Sequence, residues 1–184
     1  PETLRGPDLW ELQDNLCHHL LRQAKARGLP LIVHTGYSVP TSLAHPEGLF
    51  SLLRDPDLAG LPVDLCHSGW PHEGAAMIMA RSLRQAYFNL CWTPLLSPSL
   101  GRRILAEVID IVPRNKILLG TDTGSPESQL GTARLIRRQL TQVLSEKVAD
   151  GQFSEATARE LAAAILHDNA WAFYGRPVPP RSAA

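Results

Sequence analysis

The chain has 184 residues, with 44% hydrophobic and 20% charged positions, which fits one globular domain with a sizeable core. Its 18 Lys+Arg balance 18 Asp+Glu, so no net positive field marks it for nucleic acid or an anionic membrane surface. The three cysteines, Cys17, Cys66 and Cys91, form no CxxC pair and no disulfide framework, and no apolar run approaches the ~20 residues of a membrane helix. A reducing, cytoplasmic compartment is the expectation. No signal peptide is visible, and the first residue is Pro1 rather than Met, so a piece of a longer product is expected.

Residues 8–27 carry Leu9, Leu12, Leu16, Leu20 and Ala24 at helical spacing, with Asp8 as the expected N-cap and Gly28 as the stop. The run LPLIVH follows as a first strand ending on His34. Residues 47–55 read as a short helix, and 61–67 as a second strand ending on His67. A helix over 72–84, a strand over 86–92, a helix over 99–112 and a strand over 116–121 continue the rhythm, and Asp122 follows the last strand. The segment 127–174 reads as two helices divided at Gly151, with Ser154 as the cap of the second. The Pro-rich end, 176–184, is expected to be a flexible tail. Apolar strands alternating with helices predict an α/β fold with a parallel sheet covered on both faces.

In parallel α/β folds the site lies at the carboxyl ends of the strands. His34, His67 and Asp122 all occupy such ends. Two imidazoles and a carboxylate brought together there suit a divalent metal, Zn first, with Mn or Fe as alternatives. The carboxylate is a further ligand or accepts a proton from activated water. Taken singly, each has a plain structural reading: a hydrogen-bonded core histidine, or, for Asp122 ahead of Pro126 and Glu127, a helix cap.

The segments HTGYS, VDLCHSGWPHEGA, YFNLCWTPLLSP, KILLGTDTGSPE and LHDNAWAFYG resemble, in order, the C-terminal half of an amidohydrolase-related metal-dependent hydrolase of the amidohydrolase 2 type. The branch it resembles includes amidohydrolase-like domains linked to glutamine synthetase-type proteins and, more distantly, aminocarboxymuconate-semialdehyde decarboxylase-like enzymes. The resemblance implies a (β/α)8 TIM-type barrel, with these strands as its fifth to eighth. It implies His34 as a metal ligand, His67 as a second ligand or a group polarising the substrate, and Asp122 as metal contact and proton shuttle. The superfamily's His-x-His pair is absent; His18 and His19 are adjacent and face different sides of a helix. A full barrel needs ~250 residues, so residues 1–175 are expected to be half of one. The missing N-terminal half would then be a partner, with homo-oligomerisation as another way to cover the raw edges. The activity implied is hydrolysis of C–N (amide) or related bonds in a small carboxylate- or amide-bearing substrate. A non-oxidative decarboxylase and a truncated, non-catalytic assembly module are the alternatives.

Other residues divide between pocket and packing. Trp70 and Trp92 are candidate pocket walls, whereas His45 and His72 are expected to face solvent. Thr35, Gly36, Ser68 and Gly69 either bring the backbone close to a substrate or make ordinary turns. Ser68 lies in no GxSxG elbow, and GTDTG lacks the spacing of a phosphate loop. Arg102, Arg103, Arg134, Arg137 and Arg138 read as a solvated outer face.

Overall fold

The computed structural model describes residues 6–37 and 39–177. Ser38, within the HTGYS segment, and positions 178–184 of the expected tail lie outside the described residues.

Helix α1 spans Pro7–Ala26. Its cap is Gly6 rather than Asp8; Pro7 sits in the first turn, where its missing N–H costs nothing. Asp8 falls inside the first turn and acts on the helix dipole instead. The apolar stripe that marks the helix largely faces away from the core. Leu21 is the buried residue of α1, while Leu12, Leu16 and Leu20 are exposed, Leu20 at 66%.

Strand β1 is Leu31–His34. A pair of 3₁₀ turns, Thr41–Ala44 and Pro46–Leu49, leads to the single-turn helix α2, Phe50–Leu53, where one continuous short helix was expected. Strand β2 is Val63–Cys66, and His67 opens the turn beyond it. Helix α3 is Glu73–Ser82 and strand β3 is Ala86–Asn89. A short helix, α4 (Thr93–Leu96), precedes α5, Pro98–Ile111, whose cap is Ser97 accepting from the N–H of Leu100. Strand β4 is only Ile117–Leu118, shorter than the apolar run predicts, because Leu119 and Gly120 already belong to the loop.

Helix α6 is Pro126–Ala149, capped by Ser125. Asp122 therefore does not cap it, and its structural reading falls. Helix α7, Glu155–Ala163, begins at the expected Ser154, which accepts from the N–H of Thr157. A π-turn, Ala164–Asp168, carries the chain into α8, Asn169–Phe173.

The sheet is parallel, in the order β1-β2-β3-β4. Register puts Val33, Leu65, Phe88 and Ile117 on one face. That face packs under the helices with Met77, Ile104, Val108 and Leu140. The other face carries Ile32, Asp64 and Tyr87 in one row and His34 with Cys66 above it. It is not covered throughout, contrary to the expectation for both faces: Ile32 on the edge strand is 47% exposed.

Part of that inner face is closed by α8, where Phe173 packs edge-on to Tyr87 at 4.9 Å. Asn169 anchors the helix: its buried Nδ2 donates to the carbonyls of Arg114 (2.7 Å) and Ile117 (2.9 Å). Asn169→Ala orphans both carbonyls, and we expect it to lower unfolding free energy by about 2–3 kcal/mol in urea titration. A loss under ~0.5 kcal/mol would mean that the amide does not hold α8 in place.

Candidate active site

The loops at the carboxyl ends of the strands are stitched to one another. Thr35 Oγ1, just past β1, donates to the carbonyl of Cys66 at the end of β2 (2.7 Å). Ser68 and Thr93 share a hydrogen bond of 3.0 Å between the next two loops. Asn89 Oδ1 accepts the N–H of Cys91 (2.9 Å). The small residues around His34 and His67 thus lock strand ends together rather than forming independent turns.

Backbone strain gathers at the same place. Tyr37, His67, Ser68, Trp92 and Asp122 are the non-glycine residues with positive φ among the described residues, at 41°, 66°, 59°, 63° and 48°. All of them follow strand ends. Such conformations cost of order 1 kcal/mol or more each and persist where the surroundings over-determine them, typically at functional sites.

His34 and His67 meet here. His34 Nδ1 lies 2.9 Å from His67 Nε2, and the rings stand edge to face with centroids 4.3 Å apart. On its other side, His67 Nδ1 donates a long bond to the carbonyl of Cys91 (3.4 Å). A carbonyl only accepts, so Nδ1 carries the proton and Nε2 keeps its lone pair. The imidazole is thus steadied by a backbone carbonyl on one side and accepts from the His34 ring on the other. Burial first, and then the neighbouring His34, hold the His67 pKa below the ordinary imidazole range; the Cys91 carbonyl and the Asp122 charge oppose this. His67 is therefore neutral near pH 7, the form that ligates a cation. The donor set fits a divalent metal.

Asp122 is exposed, and its charge reaches both His67 and Cys91. Its carboxylate does not join the tightest donor trio. Among the described residues, the ligand atoms of Cys66, His67 and Cys91 are the trio lying within 4.8 Å of one another. The third predicted site residue thus lies outside that cluster.

Aromatic rings flank the imidazoles. Trp92 lies edge-on to His67 at 5.9 Å, Tyr37 edge-on to Trp92 at 4.3 Å, and Trp70 at 6.0 Å from Tyr37. Trp92 thus packs directly on His67, and Trp70 joins the cluster through Tyr37. Tyr37 was not singled out from the sequence, where only its place directly after the loop glycine Gly36 marks it.

An amidohydrolase family model (Amidohydro_2) matches residues 2–176. The chain belongs to the amidohydrolase family. Protein fluG of Emericella nidulans is 29% identical over 185 aligned residues, which cover 95% of this chain and 21% of that protein. A Lactobacillus casei ATCC 334 protein, provisionally described as a metal-dependent hydrolase, superposes with a TM-score of 0.76 and 26% identity over 89% of this chain and 44% of its own. The chain thus spans about a fifth of one relative and under half of the other. Both the family and this neighbour support metal-dependent hydrolase chemistry. No described helix of this amidohydrolase-family chain is long and apolar enough to cross a membrane.

Some residues of this amidohydrolase-family chain stand differently from their sequence-based expectations. His45 and His72 do not simply face solvent: their rings lie 4.2 Å apart, and the buried Nε2 of His72 finds no hydrogen-bond partner among the described residues. His18 pairs with Asp55, tying α1 to the loop before β2, and takes no part in the site. Arg102 pairs with Glu146 and Arg103 with Glu73 and Glu107, as expected of a solvated face. The cysteines, apart in sequence, are not all apart in space, since Cys66 and Cys91 come together.

Asp64 was also missed. It lies on β2 facing inward, 1% exposed, with Oδ2 accepting from Asn89 (2.7 Å) and Oδ1 buried with no hydrogen-bond partner among the described residues. Burial raises its pKa to about 6 against the lowering effect of Asn89. The native state then binds this proton more tightly than the unfolded chain does. The resulting stability is fully present below the unfolded pKa of 3.8 and is lost as pH rises through about 6. We expect a loss on the order of 2 kcal/mol from this group between about pH 4 and about pH 7. In Asp64→Asn that part of the slope should vanish in urea unfolding across the same range; an unchanged slope would reject the assignment.

Proposed function

We propose that this chain is the C-terminal half of a (β/α)8 barrel that hydrolyses a C–N (amide) or related bond in a small carboxylate- or amide-bearing molecule. The observation that carries this reading is the meeting of His34 and His67 at neighbouring strand ends, 2.9 Å apart. The half-barrel reading is supported by the edges. Strands β1 and β4 each have one sheet neighbour. Helix α1 also leaves Leu12, Leu16 and Leu20 exposed, and a groove of about 710 Å³ runs from Thr123 along α6 to Arg137. An upstream half of the barrel is the partner we propose for these edges, ahead of a second copy of the chain.

His34 and His67 would hold the divalent cation, Zn first and Mn or Fe next, with Asp122 as the carboxylate beside them. When bound, such a cation supplies Lewis acidity toward a carbonyl and toward water. Asp122 accepts a proton from the attacking water and returns it to the departing nitrogen, and its exposure at the loop leaves it free to exchange that proton. His67 fixes the carbonyl or carboxylate end of the substrate. The rings of Tyr37, Trp70 and Trp92 exclude bulk water around that end and set the width of the pocket.

The test is metal content by plasma mass spectrometry, together with amine release from a panel of small amides. Both are measured on this chain and on a form extended upstream. The expected result is turnover in the extended form alone, with about one more metal per chain than this chain holds. No metal and no turnover in either form would make the strand-end histidines structural and reject the hydrolase reading.

A further inference from the structure

Cys66 closes β2, and Cys91 follows the end of β3 by two residues. Both are free thiols, and they and His67 are each more than nine-tenths buried. Their ligand atoms all lie within 4.8 Å of one another. The hydrolase reading uses neither sulfur. Each cysteine is also pinned through its backbone: the carbonyl of Cys66 accepts from Thr35 Oγ1, and the N–H of Cys91 donates to Asn89 Oδ1. At position 120 a side chain would come within 2.9 Å of the Cys91 sulfur, so glycine leaves that sulfur its place.

We propose that Cys66, Cys91 and His67 form a binding site for one thiophilic divalent cation of the Zn²⁺ or Cd²⁺ class. Metal–sulfur bonds of ~2.3 Å and metal–nitrogen bonds of ~2.0–2.1 Å put tetrahedral donors about 3.5–4 Å apart, inside the 4.8 Å that bounds the three donors here. On binding, both S–H bonds break and their protons pass to solvent. Two metal–sulfur bonds form. The His67 ring proton leaves Nδ1, giving up the bond to the Cys91 carbonyl, and Nε2 takes one up and donates it to His34 Nδ1, so that Nδ1 adds its lone pair to the metal and no electrons change hands. The two thiolate charges offset the dication, so the buried cluster gains no net charge. A solvent molecule or a ligand from outside the trio completes the coordination.

The site is distinct from the His34 side of the same ring, and the two are separable by experiment. The full chain, with the exposed Cys17 replaced by Ser so that only the buried pair reports, is titrated with Cd²⁺ under reducing, oxygen-free conditions. The thiolate-to-cadmium charge-transfer absorption is followed in the ultraviolet. The expected result is one Cd²⁺ per chain with this band, displaced by Zn²⁺. Cys66→Ser and Cys91→Ser should each weaken binding by more than the ~10–100-fold that loss of a supporting contact costs, and His67→Gln should weaken it similarly. His34→Ala and Asp122→Asn should leave the band in place. Circular dichroism checks each variant, with alanine at the same position as the second choice where serine prevents folding. A folded parent without the band, cysteine variants that bind like the parent, or a band lost on His34→Ala would overturn the proposal.

Discussion

His34→Ala in the upstream-extended protein is expected to lower bound metal by about one per chain. Turnover should fall by at least ~10³-fold, the size of effect set by several kcal/mol of lost Lewis-acid stabilisation. The substitution is informative because of where His34 sits. It ends β1 with its ring exposed, so removing it leaves no cavity in the core, and circular dichroism should match the parent. Replacing the buried His67, the other proposed ligand, would confuse loss of metal with loss of fold. Full metal content with normal turnover would refute the ligand assignment and leave the imidazole pair a structural contact.

Gly36→Ala is expected to cost about 3 kcal/mol or more of unfolding free energy, read from urea midpoints at constant slope. The reason is spatial as well as conformational. Gly36 has φ +68°, and a Cβ there would lie 2.1 Å from the carbonyl oxygen of Trp70 and 2.4 Å from the carbonyl carbon of Gly69. Both are backbone atoms and cannot swing aside as a side chain would. The loops after β1 and β2 must then part, which strains the bonds from Gly36 N–H to Ala44 and from Tyr37 N–H to Trp70. Because Gly36 lies between His34 and Tyr37, the same change should loosen the imidazole pair from its aromatic wall. A cost under ~1 kcal/mol would show that the two loops separate easily.

The sequence carried what is local. Apolar runs located all four strands, and helical spacing located α1, α3, α5 and α6. Ser154 announced the start of α7 through its cap. The order of elements sufficed for a parallel sheet, because short crossovers leave few other arrangements. His34, His67 and Asp122 were visible as polar residues ending apolar runs, and their residue types alone pointed toward a cation. The ordered segments from HTGYS to LHDNAWAFYG pointed to the amidohydrolase family, which the match over residues 2–176 bears out.

What the sequence could not hold is whatever depends on two strands at once. Cys66 and Cys91 are 25 positions apart, and only the parallel pairing of β2 and β3 brings their sulfurs together. Asp64 reads as one polar residue in an apolar run; its raised pKa exists because α8 and the neighbouring strands remove water from it. Asp8 and Asp122 both carry a capping residue type, but Gly6 and Ser125 take the caps, since the path of the chain decides which side chain meets the free N–H groups. The stripe on α1 has the right period and the wrong neighbour, for period sets which residues share a face and not what that face meets. The 2.9 Å approach of His34 to His67 belongs to the same class. Residue type and spacing placed each imidazole at a strand end, but the crossovers, the stitched loops and the left-handed turn at His67 set the distance between them.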